Sequence, residues 1–216
     1  MSYRSHFILA FPMPTKPKLS AALDARKKPG QRRAVATVEA ILEAAAHILE
    51  TGGLGAYSTN AVAARAGASI GSVYQYFPSK DAITRALINR HAASLLEELR
   101  AIDPGLSAEA TLRRMLLAAV RHQLQRPGLA RTLDLEELRL PMDEAYEAIG
   151  KQTMALFRTC LHDTGRVRPA DLDVVSNDLA AIVKGLVDAA GQRRETNEAH
   201  LLARVERAVL GYLGNP

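Results

Sequence analysis

Cysteine is almost absent from these 216 residues: Cys160 stands alone. A single thiol excludes an internal disulfide and a cysteine-rich metal site, and points to a reducing cytoplasm. Tryptophan is missing and aromatics make up only 5%. No apolar run approaches the roughly 18 residues that cross a bilayer, so no membrane partner is expected. The stretch "HFILAFPMP" near the N-terminus is too short and too soon broken by proline for a secretory signal. The six histidines are scattered, with no i, i+4 pair beside an acid, so no metal site and no cofactor is expected. What remains is rich in alanine and leucine, the strongest helix formers.

The net charge of +5 is unevenly placed. Residues 1–33 hold eight Lys/Arg against Asp24, a net +7, whereas the other 183 residues hold 20 basic against 22 acidic side chains, a net −2. A basic arm on a near-neutral body suits a polyanionic partner, and equally suits a solvated tail. With Pro12, Pro14, Pro17, Pro29 and Gly30 and little periodicity, residues 1–31 read as a flexible arm.

Helical pattern starts near Arg32. Val38, Ile41, Leu42, Ala45, Ile48 and Leu49 recur at one-face spacing, opposite Glu39, Glu43 and Glu50, and "TGG" ends the run. Ser58 or Thr59 caps a short second helix, "NAVAARA", that leads to Gly67. A third short helix runs from Ser69 to Phe77, and a long one from Lys80 through Arg100. Further helices fall near 107–126, 129–139, 142–163, 169–190 and 196–213, divided by "RPG", Pro141, "DTGRVRP" and "GQRRETN". The fold class is all-α, with about nine helices.

Gly67-Ala68-Ser69-Ile70-Gly71 fits the G-x-S-x-G pattern of a serine nucleophile. That pattern needs a strand leading into the serine, and here an alanine-rich helix precedes it, so an enzyme is not expected. "GGLG" at 52–55 likewise follows a helix rather than a strand, which excludes a dinucleotide loop. The alternative is a helix-turn-helix. Ala63 is small where two helices meet, Gly67 permits the turn, and Ser69 caps the recognition helix with its first amides facing outward. Val73 and Phe77 then face the core. Gly71, Ser72 and Gln75 face DNA, flanked by Tyr74 and Tyr76, with Lys80 within reach of the same phosphates.

The stretch 34–84 resembles the tetracycline-repressor (TetR) family of bacterial regulators. The resemblance rests on "ILEAAAHILETGGLGAYSTNAVAARAGASIGSVYQYFPSKDAI", which keeps the family's anchors except Ala68 for Val and Ile83 for Leu. It implies a helix-turn-helix domain over 32–80 and a ligand-binding and dimerisation domain over 81–216. It also implies DNA contacts by Thr59, Asn60, Ser69, Ile70, Gly71, Ser72, Tyr74, Gln75, Tyr76 and Lys80. Lys27, Lys28, Arg32 and Arg33 of the arm would track phosphates or enter the minor groove. The arm is longer than such regulators usually carry, and Met13 offers a later start. A homodimer is implied, built by the last two helices through Ala180, Val183, Leu186, Val187, Leu202, Val205, Val209 and Leu213. An apolar effector would be lined by Met115, Leu133, Met142, Tyr146, Met154 and Phe157. The function so implied is a ligand-released repressor on a palindromic double-stranded operator. The alternatives are a non-specific architectural DNA binder and a helical small-molecule carrier.

Overall fold

A computed structural model describes residues 32–214, the side chain of Arg32 excepted. Lys27 and Lys28 lie outside the described residues. Those described form nine α-helices and one 3₁₀ turn, with no strand among them. The helices are α1 (Arg32–Ala56), α2 (Thr59–Ala66), α3 (Ile70–Tyr76), α4 (Lys80–Arg100), α5 (Ala108–Gln125), α6 (Pro127–Arg139), α7 (Glu144–Asp163), α8 (Leu172–Gln192) and α9 (Glu198–Tyr212), with the 3₁₀ turn Pro169–Asp171 before α8.

The chain divides into two compact units. One holds α1, α2, α3 and the first part of α4, together with residues 128–142 and so nearly all of α6. Its core is the apolar stripe of α1 (Ile41, Leu42, Ala45, Ile48, Leu49) with Val62 and Ala63 of α2, Val73 and Tyr76 of α3, and Phe77, Ile83 and Leu87 beyond it. The helical path of α1 breaks at Gly53, whose φ of 62° and ψ of −167° leave helical geometry where "TGG" marks a stop. Arg90 of α4 spans Glu39 and Glu43 of α1 at 3.3 and 3.2 Å, fixing those two helices side by side.

The other unit comprises Ala92–Pro127 and the chain from Asp143 onward. Leu112, Met115, Leu116 and Val120 of α5 pack with Phe157 and Leu161 of α7, Leu179, Val183 and Val187 of α8, and Leu201, Val205 and Val209 of α9. Ion pairs brace the same helices: Arg113–Glu206 at 2.7 Å and Arg121–Glu198 at 3.1 Å join α5 to α9, and Arg158–Asp173 at 2.6 Å joins α7 to α8. Cys160 is buried in this core, its Sγ directed at the Ala108 carbonyl at 3.5 Å, and burial pushes its pKa up to about 11. Such a thiol is a poor nucleophile.

Burial divides the residues of α8 and α9 that the sequence offers for pairing. Val205 and Val209 are fully covered by their own chain, and Val183 and Val187 are nearly so. They fill the space against α5 and α7, so they have almost no surface left to offer a second copy. Ala180, Leu186, Leu202 and Leu213 pack against the rim of that core and remain partly exposed.

Candidate nucleic-acid interface

Local chemistry builds the turn between α2 and α3. Ser58 sits extended at φ −142° and its Oγ accepts from the Ala61 amide at 3.2 Å, which sets the first residue of α2 at Thr59. At the other end Gly67 takes φ 63° and donates its amide to the Ala64 carbonyl, while Ala68 donates to Ala63 at 3.0 Å. A left-handed residue here turns the chain at once, and glycine is the residue that adopts it without strain. Two residues later Ser69 returns to an extended conformation and caps α3.

Ser69 Oγ accepts from the Ser72 amide at 3.0 Å and lies 2.8 Å from Ser72 Oγ. The outward-facing amides expected at this helix start are therefore partly used by the cap itself. In α3 the side chains at 73, 76 and 77 share one face, and Val73, Tyr76 and Phe77 are all buried there. Tyr76 thus departs from its expected surface position: only 8% of it is exposed, because a residue three after Val73 falls on the same side as Val73. Tyr74 at 42% and Ile70 at 38% are exposed, as are Gly71 and Gln75, while Ser72 is half-buried. On α2, Asn60 is exposed and Thr59 half-buried, its Oγ1 3.3 Å from the Tyr74 hydroxyl. Arg33 is exposed near the start of α1.

The turn from α3 into α4 is held by residues that no local motif announces. Ser79 Oγ accepts from the Ala82 amide at 3.1 Å and starts α4. The Lys80 carbonyl accepts from Tyr57 Oη at 3.2 Å and from Thr84 Oγ1 at 3.0 Å. Thr84 Oγ1 also lies 3.1 Å from the Tyr57 hydroxyl. Burial raises the Tyr57 pKa well above the usual phenol range, so it stays a neutral donor. The ammonium of the exposed Lys80 lies 5.9 Å from the centre of the Tyr57 ring, a cation–π distance. Beside it, hydrogen bonding from Arg139 holds the Asp81 carboxyl below the usual carboxylate range. Arg139 in turn reaches the buried Glu136 on its own helix at 2.5 Å.

The outcome is an exposed strip of Ile70, Gly71, Tyr74 and Gln75 on a short helix, with Thr59 and Asn60 beside it and a cation at Lys80. Ser69 lies between two helices rather than at the end of a strand, and its Oγ serves as the cap of α3. Among the described residues no three His, Cys, Asp or Glu side chains are placed to hold a metal, and no helix is long and apolar enough to cross a membrane.

The six residues expected to line an effector pocket are distributed over both units. Met115 and Phe157 are buried in the core of the second unit, Met154 packs against it, and Tyr146 is half-buried on α7. Leu133 and Met142 belong to the first unit. An open groove of about 970 Å³ runs along α1 and α2, bordered by Ala40, His47, Thr51, Ala61 and Arg65, and none of the six touches it.

Comparison with known proteins agrees with this geometry. Residues 41–87 match the family described as bacterial regulatory proteins, tetR family, and residues 107–213 match the tetracyclin repressor-like C-terminal domain. The fold is shared with a tetR-family regulatory protein from Rhodococcus RHA1 at 22% identity and a TM-score of 0.66, over 82% of this chain and 97% of that one. It is shared also with the fatty acid degradation regulator FadR from Bacillus halodurans at 17% identity and a TM-score of 0.67, over 88% and 98%. A Rhodococcus sp. RHA1 protein of unknown function gives a TM-score of 0.68 at 21% identity, over 82% and 93%. Comparison with curated protein sequences finds no match. With its helix-turn-helix, its separate helical C-terminal unit and both halves matched, the chain belongs to the TetR family of transcriptional regulators.

Proposed function

We propose that this regulator is a repressor that binds a palindromic operator as a homodimer and is released by a small apolar molecule. The observation that carries this reading is the exposed outer face of α3, capped by Ser69 and followed by the exposed cation of Lys80. Ile70, Gly71, Ser72, Tyr74 and Gln75 would meet the major groove, with Asn60 of α2 placed to reach a base and Thr59, Ser69 and Lys80 on the flanking phosphates. Tyr76 would contribute little directly, since only 8% of it is exposed. Lys27, Lys28, Arg32 and Arg33 would add phosphate or minor-groove contacts.

Two copies would present α3 about one DNA turn apart, on the order of 34–36 Å. The part-exposed Ala180, Leu186, Leu202 and Leu213 supply the pairing surface. An effector that binds a differently spaced conformation weakens operator binding by its differential affinity for the two states. Met115, Met154 and Phe157, with Tyr146 on the same helix as the last two, are the lining candidates of the C-terminal domain proposed over 81–216.

The test is fluorescence anisotropy on the gene's own upstream region at physiological salt, with random DNA as competitor. Retention of a specific complex supports the repressor reading. Equal binding to both DNAs with a steep salt slope would identify a non-specific architectural protein instead. Light scattering on the same sample reads the oligomeric state.

A further inference from the structure

The geometry of α3 points to a division of labour among its exposed residues: we infer that Gln75 and Ile70 read base identity, directed at A·T pairs, while Ser72 and Tyr74 only hold the helix in place. This inference rests on the regulator reading above.

The buried side chains Val73, Tyr76 and Phe77 fix which way α3 faces. At 100° per residue the line opposite them passes through Gly71 and Gln75, four residues apart. A Cβ built on Gly71 would meet nothing nearer than Ser69 Oγ at 3.8 Å. The space outside that glycine is open, and the missing side chain lets the backbone settle close to the floor of a groove. Gln75, one turn further along, is then carried to base-edge distance. Its amide makes no hydrogen bond among the described residues, so both donor and acceptor are free. A glutamine in that condition matches the N7 acceptor and N6 donor of adenine.

The hydroxyls on either side are already engaged. Ser72 Oγ is 2.8 Å from Ser69 Oγ, and Tyr74 Oη is 3.3 Å from Thr59 Oγ1. Each contact engages one of the pair's two hydroxyl protons, so a base contact in which Ser72 or Tyr74 gives up that proton would compete with a contact that fixes the ends of α2 and α3. Ile70, 38% exposed at the first position of α3, has no polar group to offer. On a base edge its complement is the thymine methyl.

The experiment is selection from random duplex DNA by the full-length protein and by Gln75→Ala, Ile70→Ala, Ser72→Ala and Tyr74→Phe. Circular dichroism melts confirm that each variant is folded. Wild type is expected to enrich half-sites containing A·T pairs and to discriminate at one of them by about tenfold or more. Gln75→Ala loses that discrimination. Replacing the Ile70-facing thymine by deoxyuracil, which removes only the methyl, weakens wild type several-fold and leaves Ile70→Ala indifferent. Ser72→Ala and Tyr74→Phe weaken all sequences by a common factor. Gly71→Leu folds, given the open space at its Cβ, and loses the specific complex.

An enriched motif whose base preferences survive Gln75→Ala and Ile70→Ala, or change with Ser72→Ala or Tyr74→Phe, overturns the inference and leaves the regulator reading standing. A motif read at G·C pairs by Gln75 does the same. No enriched motif for wild type overturns both.

Discussion

Arg139 grips Asp81 with both terminal nitrogens, Nη1 to Oδ2 at 3.1 Å and Nη2 to Oδ1 at 2.7 Å, across 58 residues of sequence. The pair ties the end of α6 to the first turn of α4, directly after Lys80. Arg139 is about half exposed, so its attraction to Asp81 is weakened by solvent, but the buried Glu136 depends on the same cation. Arg139→Met should therefore destabilise the protein by about 1–2 kcal/mol, mostly through the stranded Glu136 charge. Urea denaturation measures the loss, and adding Glu136→Gln to Arg139→Met should recover part of it. An unchanged midpoint in Arg139→Met would show that the clamp contributes nothing.

Gly67→Ala should cost about 1–2 kcal/mol, since the native φ of 63° places a Cβ in the strained left-handed region. A Cβ there meets no neighbour, so the penalty is one of backbone conformation alone. Gly67→Asn, which tolerates that region better, should lie between the two in a thermal melt. If alanine proves as stable as glycine, the turn has another accessible geometry.

Ser69→Ala removes the acceptor for the Ser72 amide and should lose about 0.5–2 kcal/mol. Asp can replace the acceptor, so Ser69→Asp should keep the stability while placing a negative charge where phosphates approach. Comparing urea midpoints with operator affinity for the two variants separates capping from DNA contact. Equal stability of Ser69→Ala and wild type would remove the cap from the account.

Val205→Ala should cost about 1–3 kcal/mol, the usual penalty for a buried methyl-bearing side chain cut back in a close-packed core. Because Val205 is covered by its own chain, the loss should not vary with protein concentration. A midpoint shift that grows on dilution would place Val205 between two copies instead.

Burial lowers the His122 pKa to about 4, so the folded protein prefers a neutral imidazole. The unfolded chain takes up a proton near pH 6.5. Between those values the unfolded state binds more protons, so the contribution is complete above about pH 6.5 and is lost as the pH falls towards 4. The loss should be on the order of 2 kcal/mol in urea titrations at successive pH values, and His122→Gln should flatten that stretch of the profile. A wild-type curve as flat as that of the variant would mean that the imidazole is hydrated when charged.

The helix-turn-helix was legible because its determinants are local. Gly67 and Ser69 specify a turn and a cap within three residues, and the stripe from Ile41 to Leu49 repeats with helical period. Tyr76 is ambiguous in the sequence because a tyrosine suits either a surface or a core, and only the final packing of a seven-residue helix decides. Tyr57, Thr84 and Arg139 carried no signal at all. Their roles depend on partners 23 to 58 residues away, and no period or spacing records such pairings. Val205 and Val209 follow the same rule: an apolar stripe says that a face is covered, but not whether the cover is α5 or a second copy.

The shortness of α3 limits how much address it can hold. Seven residues at about 1.5 Å each extend roughly 10 Å, the length of about three base pairs. Three positions distinguish about 64 sequences even if every base is read without ambiguity. A chromosome offers on the order of a million or more competing sites. One helix of this size is therefore a syllable rather than a word, and a unique site has to be spelled by repetition, by flanking shape, or by both.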